Sequence, residues 1–252
     1  MFGPRKTTIN SHAAQTDIIA WRGHEITRIE AFSDAVFALA VTLLAVSMDV
    51  PKTFDELTVA LRGFLPFAVC FILFFQVWTA QNQFFRRFGL HDEVTIRLNA
   101  ILLFAMLFFV YPLKFLFSVL FLSAGQIGGN QMQLLMYIYG AGFMIIYVLL
   151  GLMYHHAHGR REHLKLTDRE AFETQTEMYR NFGIGSVGLL SMAIATIRIP
   201  GFLILSGISY SVISIVVSVI GKRRRGLAKK LFKAERVQRV LENEPHGERV
   251  EE

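Results

Sequence analysis

One cysteine occurs in 252 residues, Cys70, set within an apolar run. An intrachain disulfide is therefore excluded, and the lone thiol says nothing about redox compartment. Charge is scarce too: 18% of the residues are Asp, Glu, Lys or Arg, against about 25% in ordinary globular proteins. Catalytic signatures are missing. There is no Gly-x-Ser-x-Gly, no His-Glu-x-x-His and no phosphate-binding loop, and Cys70 has no positioned base. The expectation is a protein that is not an enzyme and that carries no cofactor.

Apolar surface, by contrast, is abundant. Hydrophobic residues make up 53% of the chain, with 23 Phe, and the mean hydropathy is +0.41. That excludes disorder, and a soluble fold has no way to hide so much apolar surface, whereas a bilayer rewards it. Six stretches approach the roughly 17–25 residues a membrane helix needs: 31–48, 57–80, 98–122, 134–154, 182–197 and 199–220. The fold class expected is all-α, a polytopic membrane protein with six transmembrane helices. Only Arg198 separates the last two stretches, and Pro200 with Gly201 suggests a tight hairpin there; a single broken re-entrant element is the alternative. The chain divides into a cytoplasmic N-terminal segment, 1–28, a membrane domain, 29–220, and a basic cytoplasmic tail, 221–252.

Basic residues give the orientation. With the N-terminus inside, the pieces 1–28, 85–97, 155–183 and 221–252 hold 22 of the 26 Lys and Arg, as the positive-inside rule demands. A multi-pass protein of the cell membrane with both termini cytoplasmic is expected. Residues 1–27 contain no apolar core of a signal peptide. The 123–133 connection reads as a polar turn and 155–183 as the largest internal loop. The tail opens Lys222-Arg223-Arg224-Arg225 and carries Leu227, Leu231 and Phe232 among its charges. It reads as an orientation signal in contact with inner-leaflet lipids. The +6 net charge is thus a sidedness label, with no reason to invoke nucleic acid.

Most of the chemistry lies at the start of the first span, Arg28-Ile29-Glu30-Ala31-Phe32-Ser33-Asp34-Ala35-Val36-Phe37-Ala38 and onward to Leu44. Asp34 sits about one turn inside the apolar run, where ionisable groups are costly and face a partner or an aqueous path. It either locks helices together or serves a pathway, and Arg28 could neutralise it. Helical periodicity puts Ala35, Leu39, Thr42, Leu43 and Val46 on one face, with Asp49 beside them and Ser33 and Asp34 on other sides. Such a stripe suits either helix packing or the lining of a pore.

Arg28-x-x-x-Phe32-Ser33-Asp34, followed by Ala-Val-Phe-Ala and Thr-Leu-Leu, resembles the potassium channels that include the animal endolysosomal potassium channel and its prokaryotic relatives. Trp78 in an aromatic stretch of span two, and Asn99-x-x-Leu102-Leu103-Phe104 running to Pro112 in span three, extend the resemblance. Recognisable motifs reach about residue 120; beyond that the likeness is one of topology. The chain departs from many relatives in having Gln81 and Asn82 where a histidine follows the span-two tryptophan.

The resemblance implies a homotetramer whose first helices surround a central pathway for potassium, with membrane lipids as the other partner. It places an apolar constriction at Leu39, Leu43 and Val46, with Thr42 as the polar pore-lining residue and Asp49 at the outer mouth. Arg28, Phe32, Ser33 and Asp34 would form a latch to spans two and three, with Trp78 and Asn99 as partners. No Thr-Val-Gly-Tyr-Gly filter occurs. An apolar ring gates instead by dewetting and favours the ion that sheds water more cheaply, potassium over sodium.

The rival class is a proton-coupled or proton-conducting transporter, with Asp34 and Arg28 as a relay and Pro112 and Pro200 breaking helices around a midplane site. Against it, the two halves carry no matching interruptions. His155, His156 and His158 lack an accompanying carboxylate or cysteine set and read as solvated loop residues, not a metal site.

Overall fold

The computed structural model describes residues 21–23, 26–46, 51–122, 129–197 and 209–242. Among them are six α-helices: α1 (Arg28–Val46), α2 (Phe54–Phe88), α3 (Glu93–Leu122), α4 (Gly129–Gly159), α5 (Asp168–Ala195) and α6 (Val212–Glu242). A short 3-10 turn, Ser209–Ser211, leads into α6. The all-helical architecture agrees with the composition. By length and composition, α1 to α4 can each cross a membrane.

Three helices begin at a Thr-x-x-Glu sequence. Thr53 Oγ1 accepts from the Glu56 amide at the start of α2, and Thr167 and Glu170 cap α5 reciprocally. In α1 the Glu30 amide donates to Thr27 Oγ1 at 3.4 Å while Thr27 N donates to Glu30 Oε1 at 3.3 Å. Each pairing satisfies amides that a helix start leaves without intrahelical partners. At the other end of α2, Gly89 takes φ 57° and its N–H returns to the Phe85 carbonyl, the left-handed stop that glycine makes without strain.

The fifth span departs from expectation. Residues 155–183 are mostly helix, because α4 continues to Gly159 and α5 begins at Asp168, leaving only 160–167 as the connection. The Thr167–Glu170 cap starts α5 well before its apolar stretch at 182. Pro112 likewise breaks nothing: it lies inside a continuous α3, as prolines do in membrane helices whose neighbours resatisfy the backbone. Arg198, Pro200 and Gly201, the expected hairpin between spans five and six, lie outside the described residues.

Packing is uneven. α4 and α5 make the most extensive contact, α3 links α1 and α2 to α4, and α6 rests on α5. The core is built from Phe74, Phe84, Phe85, Phe88, Leu102, Leu150 and Met153, all almost fully buried. Phe64, Phe71, Phe75, Phe104, Phe108 and Phe115 are exposed on the outer surface, where hydrocarbon would cover them. In the tail, Arg224 is held on α5: Nε donates to Thr176 Oγ1 at 2.9 Å, Nη2 donates to the Phe172 carbonyl at 3.0 Å, and the guanidinium stands 3.9 Å from the Phe172 ring centre. Leu227 and Leu231 remain exposed.

Candidate pore helix and its polar latch

The two sides of α1 differ sharply. Glu30, Ser33, Phe37, Ala40 and Leu44 are buried, at the three- and four-residue steps of one helical face. Ala35, Leu39, Thr42 and Val46 are exposed and Leu43 is half-buried. Leu39 is 50% and Val46 75% accessible. The predicted pore stripe is thus the side of α1 that the described residues leave uncovered, apart from the edge at Leu43. Asp49 lies outside the described residues.

The buried side carries a short polar chain. Gln81 Nε2 donates to Asn99 Oδ1 at 3.0 Å, Asn99 Nδ2 donates to Ser33 Oγ at 2.9 Å, and Ser33 Oγ–H donates to the Ile29 carbonyl at 2.7 Å. Gln81, Asn99 and Ser33 are at most 2% accessible, so these bonds are made with no competing water. In such surroundings a partnered amide is tolerated, and an orphaned one costs about 1–3 kcal/mol. At the next residue of α1, the Trp78 indole N–H donates to Asp34 Oδ1 at 2.7 Å. Phe75 flanks that indole with ring centres 5.3 Å apart, continuing a ladder of rings from Phe64 through Phe67 and Phe71. Together α1, α2 and α3 are joined by side-chain hydrogen bonds.

The comparisons with known proteins bear on this region first. A model of the family described as endosomal/lysosomal potassium channel TMEM175 matches residues 28–110, the span from the start of α1 into α3. A protein of Marivirga tractuosa named potassium channel is 40% identical over 220 residues, covering 81% of this chain and 89% of its own length. The chain belongs to the TMEM175 family. A second family relative, a potassium channel of Chamaesiphon minutus, is 27% identical over 184 residues, covering 69% of this chain and 86% of that protein. In structure, the chain is similar to a threonine-to-alanine variant of the potassium channel MtTMEM175, crystallised with a nanobody–MBP fusion: TM-score 0.74, 38% identity, 83% of this chain and 98% of that one. A TMEM175 homologue from Chamaesiphon minutus shares the fold at TM-score 0.51 and 23% identity, over 78% of this chain and 96% of that one.

Against that TMEM175 background, the structure brings Ser33 to Asn99 and Asp34 to Trp78. It does not bring Arg28 to Asp34: Arg28 is exposed on the first turn, and among the described residues the two form no ion pair. Phe32, also assigned to the latch, is 62% accessible. Gln81, a departure from relatives in the sequence, lies on α2 and reaches Asn99, a link visible only in three dimensions. The caps at Thr27 and Glu30 were missed, although Thr-x-x-Glu ahead of an apolar run is their signature.

A second polar cluster ties the start of α3 to the end of α4. Asp92, just before α3, accepts from Thr95 Oγ1 at 2.6 Å, lies 2.7 Å from His156 Nε2 and 3.4 Å from Arg160 Nη2. Burial alone would raise the Asp92 pKa, but the Thr95 and His156 hydrogen bonds and the His156 and Arg160 charges outweigh it and hold it below the ordinary carboxylate value. His156 is therefore engaged with α3, at the end of α4, and does not lie in a free loop.

Proposed function

We propose that this protein is a potassium-permeable channel in which α1 helices from four copies surround a central pore. The carrying observation is the exposed face of α1: Leu39 and Val46 are uncovered in the single chain while the opposite face is fixed by Ser33 and Asp34. A helix so held presents an apolar stripe for other copies to complete. Leu39, Leu43 and Val46 form the constriction, which conducts when wetted and closes by dewetting. Thr42 is spoken for in one respect: its hydroxyl donates to the Ala38 carbonyl at 2.8 Å. The proton being used, the oxygen lone pairs are what it offers a passing cation. Asp49, if repeated fourfold, concentrates cations at the outer mouth.

The latch keeps α1 in register on α2 and α3, so that the stripe faces the axis. Spans five and six complete the membrane domain, both termini are cytoplasmic, and the protein resides in the plasma membrane, in keeping with the distribution of Lys and Arg. Potassium is the permeant ion, and selectivity is modest because dehydration cost, not a carbonyl cage, discriminates. The test is flux from vesicles loaded with potassium salt. A channel passes potassium down its gradient without saturation and without dependence on a pH gradient. Flux that saturates and follows a pH gradient would replace this reading with a coupled carrier.

A further inference from the structure

Ahead of α1, the segment Trp21-Arg22-Gly23 is seated on the inner end of α2. Gly23 N donates to the Arg86 carbonyl at 3.1 Å. A Cβ at Gly23 would fall 2.8 Å from the Phe85 carbonyl oxygen, and one at Gly89 would fall 3.2 Å from the Arg22 carbonyl oxygen. Two glycines thus allow two backbones to touch, and Gly89 is also the left-handed residue that ends α2. Trp21 covers the contact, with the Arg86 guanidinium 4.9 Å from its ring centre.

Arg22 reaches past this seat to α5. Its Nη1 and Nη2 donate to the two Glu170 oxygens, each at 3.0 Å, and Nη2 also lies 3.3 Å from the Lys165 carbonyl. Glu170 is 6% accessible and is at the same time the residue that caps α5 with Thr167. Lys165 holds φ 48°, a left-handed conformation uncommon for a residue other than glycine. It lies in the turn that presents this carbonyl. Sequence distance hides all of this, since Arg22 and Glu170 are 148 residues apart.

We propose that the Arg22–Glu170 pair is a positioning device that holds the cytoplasmic end of α1 and thereby sets how often the pore opens. The proposal rests on the reading of α1 as the pore helix. Gly23 is anchored on α2, against which α1 packs, and Arg22 on α5. With only two residues between Gly23 and Ile26, these anchors limit how far the inner end of α1 can move. A bidentate pair between a guanidinium and a buried carboxylate is directional and strong, which suits a fixed tether better than a solvated contact. Released, the inner ends of four α1 helices move more widely and the conducting state becomes less populated.

The experiment is single-channel recording of the full chain in planar bilayers under a potassium/sodium gradient, with Arg22→Ala, Glu170→Gln, the double variant and Leu39→Ala run together. Glu170→Gln keeps an oxygen and an amide for the Thr167 cap while removing the charge. Arg22→Ala and Glu170→Gln are each expected to lower open probability about five-fold or more, leaving unitary current and reversal potential unchanged. The double variant is expected to match the singles, and Arg22→Lys to recover only part of the loss. Hydrogen exchange in the first turn of α1 should quicken in the same variants. Wild-type open probability in Arg22→Ala, additive losses in the double variant, or a change in unitary current would overturn the tether. Leu39→Ala keeps the two failures apart: an unchanged unitary conductance there refutes the pore reading, whereas a changed one beside a normal Arg22→Ala refutes the tether alone.

Discussion

The two halves of the chain are fastened by different physics. The α1–α2–α3 half is joined by the Gln81–Asn99–Ser33 chain and the Trp78–Asp34 bond. The α4–α5 pair instead brings backbones together at small residues. A Cβ on Gly188 would lie 2.5 Å from the Gly140 carbonyl oxygen, and one on Gly151 would meet the Phe182 ring at 2.7 Å. In hydrocarbon neither device gains from hydrophobic exclusion, so each uses what remains, hydrogen bonds in one and close van der Waals contact in the other. Directional bonds fix rotation about a helix axis, which suits the proposed role of α1 as the pore helix. Close packing fixes distance, which a scaffold needs.

The sharpest way to break this contrast is at Gly188. A side chain there meets backbone, which cannot move aside, so Gly188→Val is expected to cost about 3 kcal/mol or more by overpacking and to abolish recovery of monodisperse protein in detergent. Next in size is the polar half. Asn99→Leu strands Gln81 and Ser33 and is expected to lower stability by about 1–3 kcal/mol, read as a lowered Tm in detergent. Asp34→Ala should reduce tetramer yield by releasing Trp78; normal tetramers with unchanged current would remove the latch from the account.

Smaller again is the Asp92 cluster. Because its partners hold the Asp92 pKa down in the folded protein, the carboxylate stabilises at pH values above its unfolded pKa. That contribution fades as pH falls through the lower folded value. Asp92→Asn should thus lower Tm at neutral pH by an amount equivalent to about 1 kcal/mol or less. Its deficit should vanish in acid, below the usual carboxylate range. A deficit that persists unchanged at low pH would assign the effect to packing, not charge.

Much of the first half was legible in the sequence because its signals are local. An apolar run with Asp34 one turn inside it marks a helix with a duty, and a three-to-four-residue spacing separates Ser33 from the Leu39 stripe. Asn99 and Trp78 stood out as polar edges in apolar surroundings. The second half was harder to read. Residues 168–181 are polar enough to pass for a loop, and only the Thr167-x-x-Glu170 cap announces the helix there. Arg28 next to the motif looked like a partner for Asp34, yet helical geometry turns it outward and Trp78 takes the role. The Arg22 tether was beyond local reading, since its partner stands at the far side of the chain and its seat is made by backbone.

The most direct measurement is the unitary current of wild type and Leu39→Ala in planar bilayers with potassium on one side and sodium on the other. The wild type should reverse at a potential displaced from zero in the direction of a potassium preference. Leu39→Ala should assemble normally, carry a larger unitary current and reverse closer to zero, since widening the apolar ring removes both the barrier and its preference. A Leu39→Ala channel with wild-type current and reversal potential would contradict the claim that this face of α1 lines the pore.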